Sequence, residues 1–191
     1  MEPARLEAFT DGVVAIIITI MVLEIRVPRG SSLAALRDDV PVLFAYLLSY
    51  VNVGIFWNNH HHMLHVTERV DGKVLWANLA LLFWLSLVPF VIRWIDESGF
   101  TALPTAAYGI VLACSAISYT VLQRQIIAVN GRDSRLALAL GGDLKGKASL
   151  VLYLLAIPLA FVQPWLAILL YVIVALIWLV PDRRIESRVG K

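Results

Sequence analysis

The sequence predicts an all-α integral membrane protein whose chain crosses a bilayer as six helices. Three observations predict it. Of its 191 residues, 60% are hydrophobic and 16% are charged, against about 45–50% and about 25% in ordinary soluble domains. Mean hydropathy is +0.79, more apolar surface than a soluble fold of this size hides. The apolar residues fall in runs long enough to span, separated by short polar breaks that hold most of the Lys and Arg.

Taken in order, the helices lie near 5–27, 40–64, 73–95, 102–124, 146–163 and 165–181, since about 20 residues span a hydrocarbon core, and fewer where the bilayer thins. Together they form a single transmembrane domain over 1–191. The first run opens directly after a short N-terminus and shows no small-residue cleavage site, so it is expected to remain as helix one. Pro28-Arg29-Gly30-Ser31-Ser32 separates it from helix two. Helix three contains Pro89, whose freed carbonyl a neighbouring helix is expected to meet. The longest polar stretch, Arg124 to Lys147, carries Asn130-Gly131 and Gly141-Gly142 turn signals and is too short for a domain. Only Gln163-Pro164 separates helices five and six, which makes them a hairpin. Helices one to three and four to six show no internal repeat, so an inverted-repeat transporter plan has no support.

Basic residues set the orientation. With both termini on one side, that side receives Arg5, Arg69, Lys73, Arg124, Arg132, Arg135, Lys145, Lys147, Arg183, Arg184, Arg188 and Lys191. The other receives Arg26, Arg29, Arg37 and Arg93. Twelve against four places both termini in the cytoplasm of a cell-membrane protein and supports an even number of spans.

Several function classes drop out. The net charge of +2 reflects helix-end anchors and does not indicate a nucleic-acid partner. Cys114 is the single cysteine, so no intrachain disulfide, thiol pair or cysteine zinc site exists. The nucleophile elbow G-x-S-x-G, a Gly-rich phosphate loop and paired intramembrane carboxylates are all missing. Nothing indicates an enzyme, a cofactor or a metal.

Polar residues concentrate on helix one, where Arg5, Glu7, Thr10 and Asp11 crowd the cytoplasmic end and Thr19 and Glu24 follow among aliphatic residues. A carboxylate at the hydrocarbon boundary costs several kcal/mol unless it is wet or paired. Asp11 is therefore either a solvated helix end or a group facing inward to a partner. Beyond it, Ile16, Thr19, Ile20 and Leu23 share one face at i, i+3, i+4 and i+7, with Gly12 one turn earlier. In a membrane helix every face is apolar, so this periodicity is shared by lipid contact, packing and a pore wall. Helix two ends in Trp57-Asn58-Asn59-His60-His61-His62, with His65 beyond. His61 and His65 have metal-ligand spacing, yet no carboxylate lies between them, and interfacial hydrogen-bonded histidines fit the pattern as well. Asn78 and Ser86 on helix three need partners across helices.

Arg5-x-x-x-Phe9-Thr10-Asp11-Gly12-Val13-x-Ala15-Ile16-x-x-Thr19 resembles the signature that opens the first helix of the transmembrane protein 175 family of potassium channels, in its prokaryotic branch. The likeness continues in Trp57-x-x-His60-His61 and in Trp76-x-Asn78-Leu79, Phe83, Ser86-Leu87 and Pro89-Phe90. It is specific over the first three helices, while the last three match in length and hydropathy alone. One departure is Thr10 where the family usually has Ser, which keeps the hydroxyl.

The resemblance implies a homotetramer of six-helix subunits, with helix one of each lining a central path for potassium and other monovalent cations. It implies no carbonyl-lined T-V-G-Y-G filter, and the sequence contains none. The family's hydrophobic constriction maps onto Ile16, Ile20 and Leu23, and its hydroxyl ring onto Thr19. Arg5, Phe9, Thr10, Asp11, Trp57, His60, His61 and Asn78 map onto a structural polar cluster behind the pore. An apolar ring excludes water and so acts as a gate, and potassium, which gives up water more cheaply than sodium, gains a modest preference. Two other readings stay open: a secondary or proton-coupled transporter using Asp11 and the helix-two histidines as a relay, and a structural membrane subunit with no pathway of its own.

Overall fold

The structure is a computed structural model that describes residues 3–25, 27, 28, 30–33, 37, 39–140 and 143–179. Arg26, Arg29, Arg183, Arg184, Arg188 and Lys191 of the charge balance, and positions 180 and 181 of the sixth expected helix, lie outside the described residues.

Eight helices and no strand occur among the described residues: α1 Pro3–Leu23, α2 Val40–His65, α3 Gly72–Ser86, α4 Val88–Ser98, α5 Ala102–Asn130, α6 Arg135–Leu140, α7 Leu144–Val162 and α8 Pro164–Leu179. Local chemistry sets most of the ends. Pro41 sits in the first turn of α2, where its missing N–H costs nothing. The Asp71 carboxylate caps α3 by accepting from the Val74 N–H at 3.0 Å. Gly99 closes α4 in the left-handed region at φ 68°, where a side chain would be strained. Asp143 caps α7.

Helix three differs from expectation. The apolar run from Gly72 to Ser98 is 27 residues long, but it breaks at Leu87 into α3 and α4. Pro89, in the first turn of α4, supplies no N–H to the preceding turn. The Leu87 N–H turns back instead to the carbonyls of Trp84 and Leu85, and the Ser86 hydroxyl donates to the Phe83 carbonyl at 2.7 Å. Carbonyls at the break thus find partners along their own segment and not on a neighbouring helix. Two further differences concern the polar stretch: α5 runs to Asn130, past the expected end near 124, and α6 forms a short helix within it.

Five segments have the length and composition to cross a bilayer: Pro3–Leu23, Val40–His65, Gly72–Ser98, Ala102–Asn130 and Leu144–Val162. The sixth apolar helix, α8, has 16 residues, about 24 Å at the usual rise. It packs back along α7 as the expected hairpin.

At the centre is α5, which packs along both α3 and α7, whereas α1 lies at the margin against α2, α3 and α4. Accordingly 28% of the α1 span is buried within the subunit, against 56% for α5. Hydroxyls inside the bundle are paired, as hydrocarbon surroundings require. Ser49 donates to the Tyr108 hydroxyl at 2.9 Å, and the Tyr171 hydroxyl reaches the Thr105 carbonyl at 3.0 Å. That second hydroxyl stands where a side-chain carbon at position 109 would go, so Gly109 is what lets α8 approach α5. At the far end of α5, Asn130 binds the α2–α3 loop: its amide oxygen accepts from the Glu68 and Arg69 N–H groups, and its nitrogen donates to the Arg69 carbonyl.

Candidate ion pathway and its polar support

The two sides of α1 differ in what covers them. Leu6, Thr10, Val14, Ile17 and Met21 recur every three or four residues and are buried against the subunit. On the opposite side Ile16, Ile20 and Leu23 are uncovered, with 58%, 39% and 79% of their surface exposed, and Thr19 is exposed among them. The Thr19 hydroxyl has one hydrogen, shared between the Ala15 and Ile16 carbonyls at 3.0 and 2.9 Å. Its oxygen lone pairs remain available on the open side of the helix.

Behind the stripe, polar contacts fasten the N-terminal half of α1 to α2 and α3. The Trp57 indole N–H donates to the Asp11 carboxylate at 2.8 Å. His61 Nδ1 lies 2.7 Å from the Glu7 carboxylate. These two rungs match by geometry, since Glu7 and Asp11 are one turn apart on α1 and His61 and Trp57 one turn apart on α2, which runs the other way. A third contact is buried: the Asn78 amide nitrogen donates to the Thr10 hydroxyl at 2.9 Å. Its carbonyl oxygen faces His60 Nε2 at 2.8 Å, so that nitrogen carries the hydrogen. Thr10, His60 and Asn78 are each no more than 1% exposed, and the Thr10 hydroxyl is an acceptor that Ser would equally supply.

Not every residue mapped to this cluster is in it. Arg5 is exposed and, among the described residues, makes no contact with Asp11, whose partner is neutral Trp57. Phe9 is 52% exposed, on the open side. Glu7, singled out in the sequence as one of the polar residues at this end of helix one but not mapped to the cluster, belongs to it through His61; its spacing to Asp11 repeats that of Trp57 to His61. A second omission lies at the other end of α1, where Arg93 on α4 pairs with Glu24 at 3.1 Å and with Glu97 at 3.1 Å. His61 and His65 stack at 6.2 Å, and no group of three or more His, Cys, Asp or Glu able to hold a metal occurs among the described residues.

A multi-helix membrane protein with a marginal first helix, fastened at both ends and presenting an apolar stripe interrupted by one hydroxyl, is the class that fold and site define. Comparison with known proteins narrows it. Residues 5–89 match a family model described as "Endosomal/lysosomal potassium channel TMEM175", a stretch that holds α1, α2, α3 and the break after it. A protein of a Chryseobacterium species, named a potassium channel, is 52% identical over 187 residues, covering 98% of this chain and 97% of that one. The human protein named endosomal/lysosomal proton channel TMEM175 is 38% identical over 96 residues, 44% of this chain and 19% of its own length. The crystal structure of a protein described as a lysosomal potassium-selective channel TMEM175 homolog from Chamaesiphon minutus superposes with a TM-score of 0.78 at 27% identity, covering 93% of this chain and 96% of that one. The chain belongs to the TMEM175 family, a family of ion channels and not of enzymes.

Proposed function

We propose that four copies of this chain form a potassium-selective cation channel of the cell membrane, with α1 of each copy facing the axis. Each subunit contributes six spans, α8 serving as the sixth where the bilayer thins around it, and both termini are cytoplasmic. Ile16, Ile20 and Leu23 form the constriction. A ring this narrow and apolar excludes water when closed and passes a largely hydrated ion when widened. Four Thr19 hydroxyls replace part of the ion's water, which gives a modest preference for potassium. Conduction uses no cofactor.

The observation that carries this reading is the division of α1 into a buried side, Leu6, Thr10, Val14, Ile17 and Met21, and an open side carrying Ile16, Thr19, Ile20 and Leu23. A helix that closes a pore by fourfold assembly needs such a pair of faces. The names of the bacterial relatives support potassium as the ion. A proton relay through Asp11 and the helix-two histidines has less support, because Asp11 and His60 are held by neutral partners, Trp57 and Asn78, while His61 faces Glu7 and not Asp11. Planar-bilayer recording of the purified protein under a potassium gradient tests the proposal. Unitary currents reversing toward the potassium equilibrium potential are expected. Slow saturable flux coupled to protons, or no flux of any ion, overturns it.

A further inference from the structure

A crevice lies between α2, α5, α7 and α8, on the side of α2 turned away from α1. Asn52, Phe56 and Asn59 line it at i, i+4 and i+7, while Trp57, His60 and His61 occupy the other face of the same helix. About 50 Å³ of it is open to water, room for a few water molecules.

Its lining is unusual in what it has left to offer. Several side-chain donors are already spent inside the protein. Asn52 donates to the Leu48 carbonyl, Asn59 to Ile55 and Thr120 to Ala116, while the Trp178 indole donates to Ser149, whose own hydroxyl goes to Lys145. Beside the remaining amide hydrogens of Asn52, Asn59 and Gln123, the lining offers the acceptor oxygens of Asp143 and Asn59 and the aromatic faces of Phe56, Tyr119, Tyr153 and Trp178. Asp143 carries the single formal charge among the lining residues. One of its oxygens accepts from the Gly146 N–H at 3.1 Å, which leaves most of the carboxylate's acceptor capacity unused. At the rim the Lys145 ammonium sits 5.9 Å from the centre of the Trp178 ring, so one cation of the chain is already drawn to this wall.

A carboxylate that carries the only formal charge of the lining, together with π faces in one small space, favours a compact cation. We propose that this crevice binds a small protonated amine, of the size of methylammonium, at a site separate from the axial pathway. The ammonium takes the Asp143 carboxylate and the Asn59 carbonyl oxygen, with its alkyl group against Phe56 and Ala116. Lys145 competes for the same wall.

Saturation-transfer difference NMR of methylammonium chloride with the purified full-length protein in detergent, at constant ionic strength made up with KCl, tests the site. Saturable binding is expected in the unaltered protein. Asp143→Asn keeps the α7 cap but removes the charge, and weakens binding by about tenfold. Ala116→Leu fills the space and abolishes it, while Lys145→Gln strengthens it by about threefold. Thr19→Ala, on the open face of α1, leaves it unchanged. Circular dichroism and gel filtration establish folding of each variant, and Asp143→Asn, nearly isosteric, decides the matter should Ala116→Leu fail to fold. No saturable binding, full displacement by equimolar KCl, an undiminished signal in Asp143→Asn, or loss in Thr19→Ala overturns the proposal. None of these readouts depends on conduction.

Discussion

The Trp57 indole donates to the Asp11 carboxylate at 2.8 Å, so among the described residues Asp11 is paired with no cation and is held by a neutral donor from α2. A carboxylate in this position serves as an anchor between helices. Asp11→Ala is expected to weaken the folded assembly by about 1–3 kcal/mol, the range for hydrogen bonds that include those to charged groups. Melting temperature in detergent should fall while the potassium-to-sodium permeability ratio stays close to that of the unaltered protein. Normal assembly with lost ion preference would reverse the assignment.

The open face of α1 gives the most direct test of the pathway. Ile16→Asn wets the constriction and should raise basal current and weaken potassium preference. Thr19→Ala leaves the apolar gate intact and should lower the permeability ratio with little rise in basal current. Ile17 is unsuited as a control because it is buried at 4% exposure, and a polar group there attacks the subunit core. Val22, 48% exposed but roughly a third of a turn from the stripe, is the better one. Equal changes from Val22→Asn would remove α1 as the pore wall.

Cysteine mapping tests the topology. In a Cys114→Ser background, single cysteines at Ser31 and Ser134 are to be labelled with an impermeant maleimide from outside intact cells. Labelling at Ser31 alone is expected; labelling at Ser134 alone contradicts the twelve-to-four charge balance.

Gly109 and Tyr171 form a pair whose packing is separable from function. Gly109→Ala places a methyl group against the Tyr171 hydroxyl and should destabilise the fold by about 1–3 kcal/mol. Adding Tyr171→Phe removes the obstructing oxygen, and thermal melts of the two single variants and the double should show partial recovery. A double variant no more stable than Gly109→Ala would mean that the obstruction lies elsewhere.

Hydropathy made the helices legible because a bilayer demands about 20 apolar residues wherever the chain crosses. It was silent on the break at Leu87, since Pro89 in a membrane helix is compatible with a kink, a bulge or a full interruption. The stripe of Ile16, Thr19, Ile20 and Leu23 was readable as a face, but its exposure was not, because the faces of α1 differ little in hydrophobicity. Asp11 announced a need for a partner without naming it. Arg5 is the obvious cation nearby, yet Trp57 supplies the bond, and only the antiparallel registry of α1 and α2 distinguishes them. Glu24 and Arg93 are 69 positions apart, and no local pattern joins them.

The interruption at Leu87 makes α3 and α4 two rods with a joint between them, and α1 is held by one bond set on each. Asn78 of α3 grips Thr10 in the N-terminal half of α1, and Arg93 of α4 grips Glu24 just past its C-terminal end. On the proposed pathway, a change of angle at this joint would reach α1 as a tilt that displaces its ends, Leu23 included, more than the stretch from Ile16 to Thr19 between the two contacts.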